Sequence, residues 1–563
     1  MKFSKLTLAI ATTLGASASF SAFAIDLYVD TKTKQIYAEP GRGRELMGSF
    51  EKVGDKPAQT AAPATAPAEL ATIKQDLELK TNEIKALEEH AKEAEKVQVK
   101  MDADGFEIKS KDGNFKTKFG GRLQVDSQVN SNQNSPPHGT NLANGVGIRR
   151  GRIYTEGSLF KDYEYRFEYD FARNNGGTQG ITDAYVKYVA FKPFALTIGQ
   201  QNEGKSMESV MSNNYLTFVE RGLPNNALIE QGSNSKYQLG AIGSTYDKVF
   251  ERPYTLQAGI TTESFGAPGP GNSSDNSQGG ANAAGGTNAN ATNTNRNAFS
   301  GNTSYQIVSR GTILPYKDDR GNLIHTGAWG SWRSINNNFN PDGTVRTGGW
   351  AFASQPDSNV DRTNWINTGN LTNVTCLHPV AGVCPTTPGS NVTTHEANNV
   401  SMFGGELAGA FGPTHFQAEY MQATVSGHGY NNDTVRGFDI SGGWFLTGES
   451  RPYDEKKGTW GRVKPKSNFL GGHGTGAWEV AARFDLMDMN THNIKGGSID
   501  AGTLALNWYL TPRVRFMADW VHVFGQQNSN ACKGFPAQGS SASIGCFNGL
   551  SPDIIETRVS FDY

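Results

Sequence analysis

The segment Arg149-Arg150-Gly151-Arg152 places three guanidinium groups within four residues, and no carboxylate follows until Glu156. A guanidinium is permanently charged, and its planar fork donates two parallel hydrogen bonds to two oxygens of a phosphate or carboxylate. The chemistry such a cluster supports is reversible binding of oxyanions, with no bond made or broken. Glu156, Glu164, Glu168, Asp170, Glu479 and Asp485 share faces with the chain's other strand arginines. Ion pairing between neighbours therefore competes with ligand contact at each of them. Signals for covalent or metal chemistry are missing. The ten His form no H-E-x-x-H or other metal spacing, and no G-x-x-x-x-G-K-[ST] loop occurs. Asp318-Asp319 reads as a turn rather than a calcium site. No catalytic residue, metal, cofactor or nucleic-acid partner is expected, and the chain does not read as an enzyme.

These cations sit on segments with a period of two. In Asp162–Phe171, Tyr163, Tyr165, Phe167, Tyr169 and Phe171 fall on one side of an extended strand. Asp162, Glu164, Arg166, Glu168 and Asp170 fall on the other. No helix sorts residues this way. On a soluble protein this is an amphipathic sheet; in a membrane barrel it is lipid outside and water inside. Phe115–Ser127, Trp478–Leu486, Val514–Trp520 and Ile555–Tyr563 repeat the alternation, and the last ends on a terminal aromatic. A charged side chain facing lipid at mid-bilayer costs about 2–4 kcal/mol. In a barrel, alternation therefore turns Arg122, Arg150, Arg152, Arg166, Lys187, Arg483 and Arg515 into the lumen.

Bulk properties select the membrane alternative. Met1-Lys2-Phe3-Ser4-Lys5, an apolar stretch and Ala22-Phe23-Ala24 form a secretory signal peptide over residues 1–24. No later run is long and apolar enough for a membrane helix, and the mean hydropathy is −0.51. Barrel strands need only alternate residues apolar. The 66 Gly and 10% aromatics fit a β protein. The net charge of −2 says nothing about partners. Long polar connections such as Asn130–Asn144 and Gln201–Asn234 alternate with tight turns such as Phe160-Lys161-Asp162 and Phe191-Lys192-Pro193, as a transmembrane barrel requires. Sixteen strands are expected. Segments near Trp350–Gln355 and Thr363–Thr372 belong either to the wall, giving eighteen, or to a folded loop. Gly266–Asn297 reads as a flexible external loop.

Ahead of the barrel, residues 25–69 read as an extended segment ending in an Ala/Pro linker. Leu70, Ile73, Leu77, Ile84, Leu87, Ala91 and Ala94 then follow a 3-4 spacing, broken by Lys80. Residues 70–98 therefore read as a periplasmic coiled coil, with a lone amphipathic helix as the alternative. About four heptads are marginal alone, so assembly with identical helices is favoured. The four cysteines form two local pairs, Cys376 with Cys384 and Cys532 with Cys546. Secretion favours loop disulfides over free thiols.

The blocks Ile148–Arg152, Asp170-Phe171, Asp183-Ala184-Tyr185, Thr197–Gln200, Tyr215–Pro224, Gln417–Tyr420, Leu446–Tyr453, Gly476–Glu479 and Asn507–Leu510, in this order, resemble the phosphate-selective porins O and P. The resemblance covers residues 105–563. It implies a sixteen-stranded antiparallel barrel in the outer membrane, assembled as a homotrimer, with loops folded into an anion-selective lumen lined by arginine and lysine. It implies a constriction in the long third loop, which brings in Lys205 and Arg221. Arg149 joins the candidates from the cluster, and Arg451 from a second basic segment that runs on through Lys456, Lys457, Arg462, Lys464 and Lys466. The expected function is passive diffusion of inorganic anions, phosphate or related oxyanions foremost. The alternatives are a general small-solute porin, or a barrel that anchors a coiled-coil tether to the periplasm or cell wall.

Overall fold

In a computed structural model, residues 25–30, 36–37, 39–41, 44–50, 67–94, 97–102, 105–131, 142–173, 180–230, 236–262, 304–335, 350–361, 364–376, 391–527 and 551–563 are described. Sixteen antiparallel strands among them close into a barrel. They are β1 (Phe115–Ser131), β2 (Gly145–Leu159), β3 (Tyr163–Asp170), β4 (Ile181–Tyr188), β5 (Phe194–Asn202), β6 (Tyr237–Val249), β7 (Arg252–Thr262) and β8 (Tyr305–Lys317). The second half comprises β9 (Leu323–Ser334), β10 (Asn391–Phe411), β11 (Thr414–His428), β12 (Tyr430–Phe445), β13 (Ala477–Asn490), β14 (Lys495–Tyr509), β15 (Val514–Gln527) and β16 (Asp553–Asp562).

Each strand pairs with its sequence neighbours, and β16 pairs with β1 through Asp553↔Ser131 to Asp562↔Arg122. Beyond that ladder, the Tyr563 N–H donates to Gly121 O at 3.1 Å and the Gly121 N–H donates to Tyr563 O at 3.3 Å. A Cβ at Gly121 would lie 2.6 Å from the Tyr563 ring, so a side chain there would push that ring aside. The alternation holds around the wall. Phe167, Ile440, Phe484, Trp520 and Val559 are exposed on the outside, while Glu168, Asp170, Glu479, Arg483 and Asp485 are buried inside.

The expected sixteen strands are found, and other expectations are corrected. Ala353–Ser354 and Ile366–Asn367 pair with each other in a separate two-stranded sheet, so this region is a folded loop and the wall has sixteen strands. The helix runs Pro67–Ala94, and Val97 opens a strand, Val97–Asp102, that pairs with Gly105–Ser110. Phe171 leaves the alternation to start a 3-10 turn. The order of long and short connections fails between β11 and β14. β11 and β12 are joined through Gly429 alone, at φ +76°, whereas residues 446–476 join β12 to β13 at the short-turn end. Residues 491–494 are also a short connection at the long-loop end. The signal peptide, the Ala/Pro linker, the Asn-rich loop and the cysteine pairings lie outside the described residues or side chains.

The N-terminal unit is separate from the barrel. It contains a three-stranded sheet, Ile25–Asp30 flanked by Ile36–Tyr37 and Arg44–Phe50, and most of the helix. Leu77, Ile84 and Leu87 on that helix are exposed.

Deleting Tyr563 removes two backbone hydrogen bonds from the seam, each worth about 0.5–1.5 kcal/mol net. The expected result is a lower midpoint for the heat-induced mobility shift of the barrel on a detergent gel, with the unheated form still compact.

Candidate functional site

The described part of the connection from β5 to β6, residues 203–230 and 236, folds into the lumen. Its apolar residues pack on the inner wall: Leu223, Ala227, Leu228 and Ile229 form one buried cluster with Trp329, Met402, Met421 and Met487. Alternation places these wall positions inward, but the loop makes that part of the lumen dry enough for methionine and tryptophan.

The remaining loop backbone is held by charge. Glu419 accepts the N–H groups of Met207 and Glu208 at 3.1 and 2.8 Å. Asp519 accepts Val219 N–H at 2.8 Å, and Asp485 accepts Leu223 N–H at 3.0 Å. Arginines take the carbonyls. Arg483 donates to Glu220 O at 2.9 Å, Arg515 to Leu216 O and Thr217 O, and Arg558 to Val219 O. A buried carbonyl or amide without a partner costs about 1–3 kcal/mol, so wall charges substitute here for a ladder that an irregular loop lacks.

The loop's own Glu220 is the hub of the arginine cluster. Arg149 meets it with two hydrogen bonds, 2.7 and 2.9 Å, and Arg558 with one at 2.7 Å. Arg558 also grips Asp126 at 2.7 and 2.6 Å, and Arg150 lies 3.9 Å from Glu220 while bonding Gln124 at 2.9 Å. Burial raises the Glu220 carboxyl, but Arg149, Arg150 and Arg558 together outweigh it and hold the group well below the usual carboxylate range.

Other candidates are similarly engaged. Arg221 donates to Glu208 O and Met211 O, both at 2.8 Å, and lies 2.9 Å from Glu230. Lys205 lies 2.7 Å from Glu203 and donates to Gln306 at 3.0 Å. Arg483 also meets Asp357 at 2.9 Å and Asp485 at 3.2 Å. Lys187 lies 3.5 Å from Glu164.

Residues 446–476 enter from the opposite end and meet the loop. Arg451 donates to Tyr215 O and sits 3.6 Å from Glu479. Thr459 Oγ1 donates to Met207 O at 3.0 Å, and Trp460 Nε1 donates to Gln417 at 2.9 Å. From the wall, Arg310 pairs with Glu406 through two 2.8 Å bonds and donates to Lys457 O and Gly458 O at 3.0 and 2.7 Å.

Between these two segments and strands β1–β4 lies a cavity of about 980 Å³. Lys118, Arg122, Arg152, Arg166, Lys236, Lys457, Arg462, Lys464 and Arg513 line it, against Glu156, Glu168, Asp183, Asp454 and Asp562. Nine cations to five carboxylates give it a positive balance. Of the candidates from the sequence, Arg122, Arg152 and Arg166 reach this cavity, as do Lys457, Arg462 and Lys464 of the second basic segment; the cluster is split, with Arg149 and Arg150 turned to Glu220. Arg152 bonds Asp170 at 2.8 Å and Glu168 at 2.6 Å. Arg166 bonds Glu156 and Glu168, lies 3.7 Å from Asp183 and stacks 4.3 Å over Tyr154. Arg122 is 3.8 Å from Glu168. The side chains of Lys118 and Lys464 have no hydrogen bond or ion pair among the described residues. Lys118, Lys236, Arg310, Arg513 and Arg558 were not singled out from the sequence. Arg558 could have been, because Thr557 and Val559 on either side alternate outward.

The profile of the phosphate-selective porin O and P family matches residues 117–546. The chain belongs to this family. It is an outer-membrane porin channel. Porin O of Pseudomonas aeruginosa is 24% identical over 432 residues, 74% of this chain and 85% of that one. An uncharacterised protein of Caulobacter vibrioides is 27% identical over 460 residues, 81% and 77% of the two chains. Among solved structures, the anion-selective porin of Comamonas acidovorans aligns with 79% of this chain and 99% of its own at 12% identity and a TM-score of 0.41. OmpT of Vibrio cholerae aligns with 80% and 98% at 11% identity and a TM-score of 0.40.

Glu419→Ala leaves two loop amides without an acceptor, a loss of about 2–6 kcal/mol of local anchoring. Single-channel recording is expected to show a larger, noisier conductance as residues 203–230 loosen.

Proposed function

We propose that the barrel is an anion-selective diffusion channel, with phosphate and related oxyanions among its permeants. The observation that carries this reading is the cationic excess around the 980 Å³ cavity. A confined cavity of one sign raises the local concentration of the opposite ion. Lys118 and Lys464 supply charge that no ion pair within 4 Å neutralises, although Lys118 lies across the ladder from Glu156, and Arg122 is held loosely. Several weak sites in series let an anion enter and leave, as conduction requires. Family membership supports phosphate, and the anion-selective neighbour has the same class of permeant. A general small-solute porin is the second reading, favoured by the carboxylates that offset Arg152 and Arg166. The test is reversal potential across a planar bilayer under a potassium chloride gradient. Chloride preference is expected, shifting toward potassium by several-fold when Lys118→Glu and Lys464→Glu are combined. A wild-type preference for potassium would sink the reading.

We also infer a homotrimer. Strands β3, β4 and β5 have 8, 8 and 9 residues. At about 3.3 Å per residue and a tilt of about 40°, they rise only about 20–23 Å, less than the apolar band of about 25 Å. Their outer face carries Phe167, Val186 and Ile198, exposed on the single chain. A neighbouring copy would cover a wall too short for lipid. The exposed Leu77, Ile84 and Leu87 support the same stoichiometry as a periplasmic coiled coil. Unheated gels are expected to show a trimer that Phe167→Glu with Ile198→Glu dissociates into heat-modifiable monomers. Deleting residues 70–94 should weaken the trimer and leave conductance per barrel unchanged. If that deletion instead damages the envelope with assembly intact, the helix is a tether.

A further inference from the structure

We propose that the cavity binds organic anions carrying an aromatic ring, and retards them more than inorganic phosphate. This deepens the anion-channel reading and rests on it.

Recognition of inorganic phosphate by arginine needs a guanidinium edge left open for two parallel bonds. Arg152 and Arg166 spend those edges on Asp170, Glu156 and Glu168, and of the three candidate arginines at the cavity Arg122 alone, 3.8 Å from Glu168, keeps an edge open. The cationic charge without a recorded partner is ammonium, at Lys118 and Lys464. An ammonium group is a compact point charge that attracts an anion without selecting its geometry. Selection then falls to the rest of the lining, where five aromatic rings stand among small polar side chains. Tyr154, Tyr185, Tyr215, Tyr237 and Trp460 reach the cavity from two wall strands, both inserted segments and the start of β6. The volume, about 980 Å³, is far larger than a tetrahedral oxyanion fills and lies at the upper end of the range for drug-sized ligands, about 300–1,000 Å³. Rings at the wall and lysines at the rim suit a planar apolar body with one charged end. The apolar body leaves water against the half-buried Tyr154, Tyr185 and Tyr215, and the carboxylate or phosphate faces the ammonium groups.

The experiment compares benzoate, acetate and inorganic phosphate as blockers of chloride current through the full-length channel in a planar bilayer. Benzoate and acetate share a charged group and differ by the ring. Benzoate is expected to reduce the current at about tenfold lower concentration than acetate, and below inorganic phosphate. Tyr185→Leu is expected to bring benzoate toward acetate, and Lys118→Met with Lys464→Met to weaken block by both. Heat-modifiable mobility verifies that each variant forms a barrel; if one does not, the wild-type ratio of benzoate to acetate decides. Equal block by benzoate and acetate overturns the proposal, as does phosphate acting at the lowest concentration. Reversal potential in the same bilayers separates the two levels. Potassium preference removes the anion-channel reading itself, whereas chloride preference with no advantage for benzoate removes this inference alone.

Discussion

Lipid offers no hydrogen bonds, and everything else in this molecule follows from that. Every backbone N–H and C=O at membrane depth must find a protein partner, so the sheet has to close on itself. The seam between β16 and β1 is where closure is decided, and the chain commits its terminal Tyr563 and Gly121 to it. Once the wall is a ring, the period of two gives each residue only two environments. The outer one admits tyrosine, phenylalanine and leucine. The inner one collects most of the charge the strands carry; Arg436, Asp488 and Asp500 stand on the outer parity.

That inner face is crowded with opposed charges, and the loop segment of residues 203–230 resolves the crowding. Glu419, Asp485 and Asp519 receive its amides, while Arg483, Arg515 and Arg558 receive its carbonyls. Buried ion pairs are weak contributors to stability because desolvation offsets their attraction. Here they act as a template that fixes where an irregular segment lies. Removing one partner strands the other, so the position of the constriction is specified by many residues at once. The permeation path is left with what this template does not consume: lysines, a loosely held arginine and aromatic rings.

The barrel was legible because alternation and turn chemistry are local. The face of Arg166, the strand at Trp478–Leu486 and the terminal aromatic all followed from a period of two. The cavity's lining was not legible, because partner choice depends on a loop brought more than two hundred residues across the chain. In sequence, alternation separates Arg149 from Arg150 and Arg152, and the bulge that skips Arg149 in the β1–β2 ladder is not visible there. In the fold, Arg149 and Arg150 turn toward Glu220 and Arg152 turns toward the cavity. Met402, Met421 and Met487 read as exceptions to a polar lumen until the loop that dries them is in place. The reversed connections at Gly429 and residues 446–476, with the short one at residues 491–494, broke a rule that holds elsewhere, so no count of turns could place the second inserted segment.

That reversal has a consequence for how the molecule is made. One inserted segment enters the lumen from the long-loop end and the other from the short-turn end, and they touch at Met207 with Thr459 and at Tyr215 with Arg451. Segments arriving from opposite mouths meet behind a wall that encloses both. Their contacts span residues far apart in sequence, so they carry a large loop-closure entropy and form late. The order of events is therefore constrained. The strands between them must curl far enough to bring both segments into the same space, and the seam at Tyr563 must not shut before that rendezvous is possible.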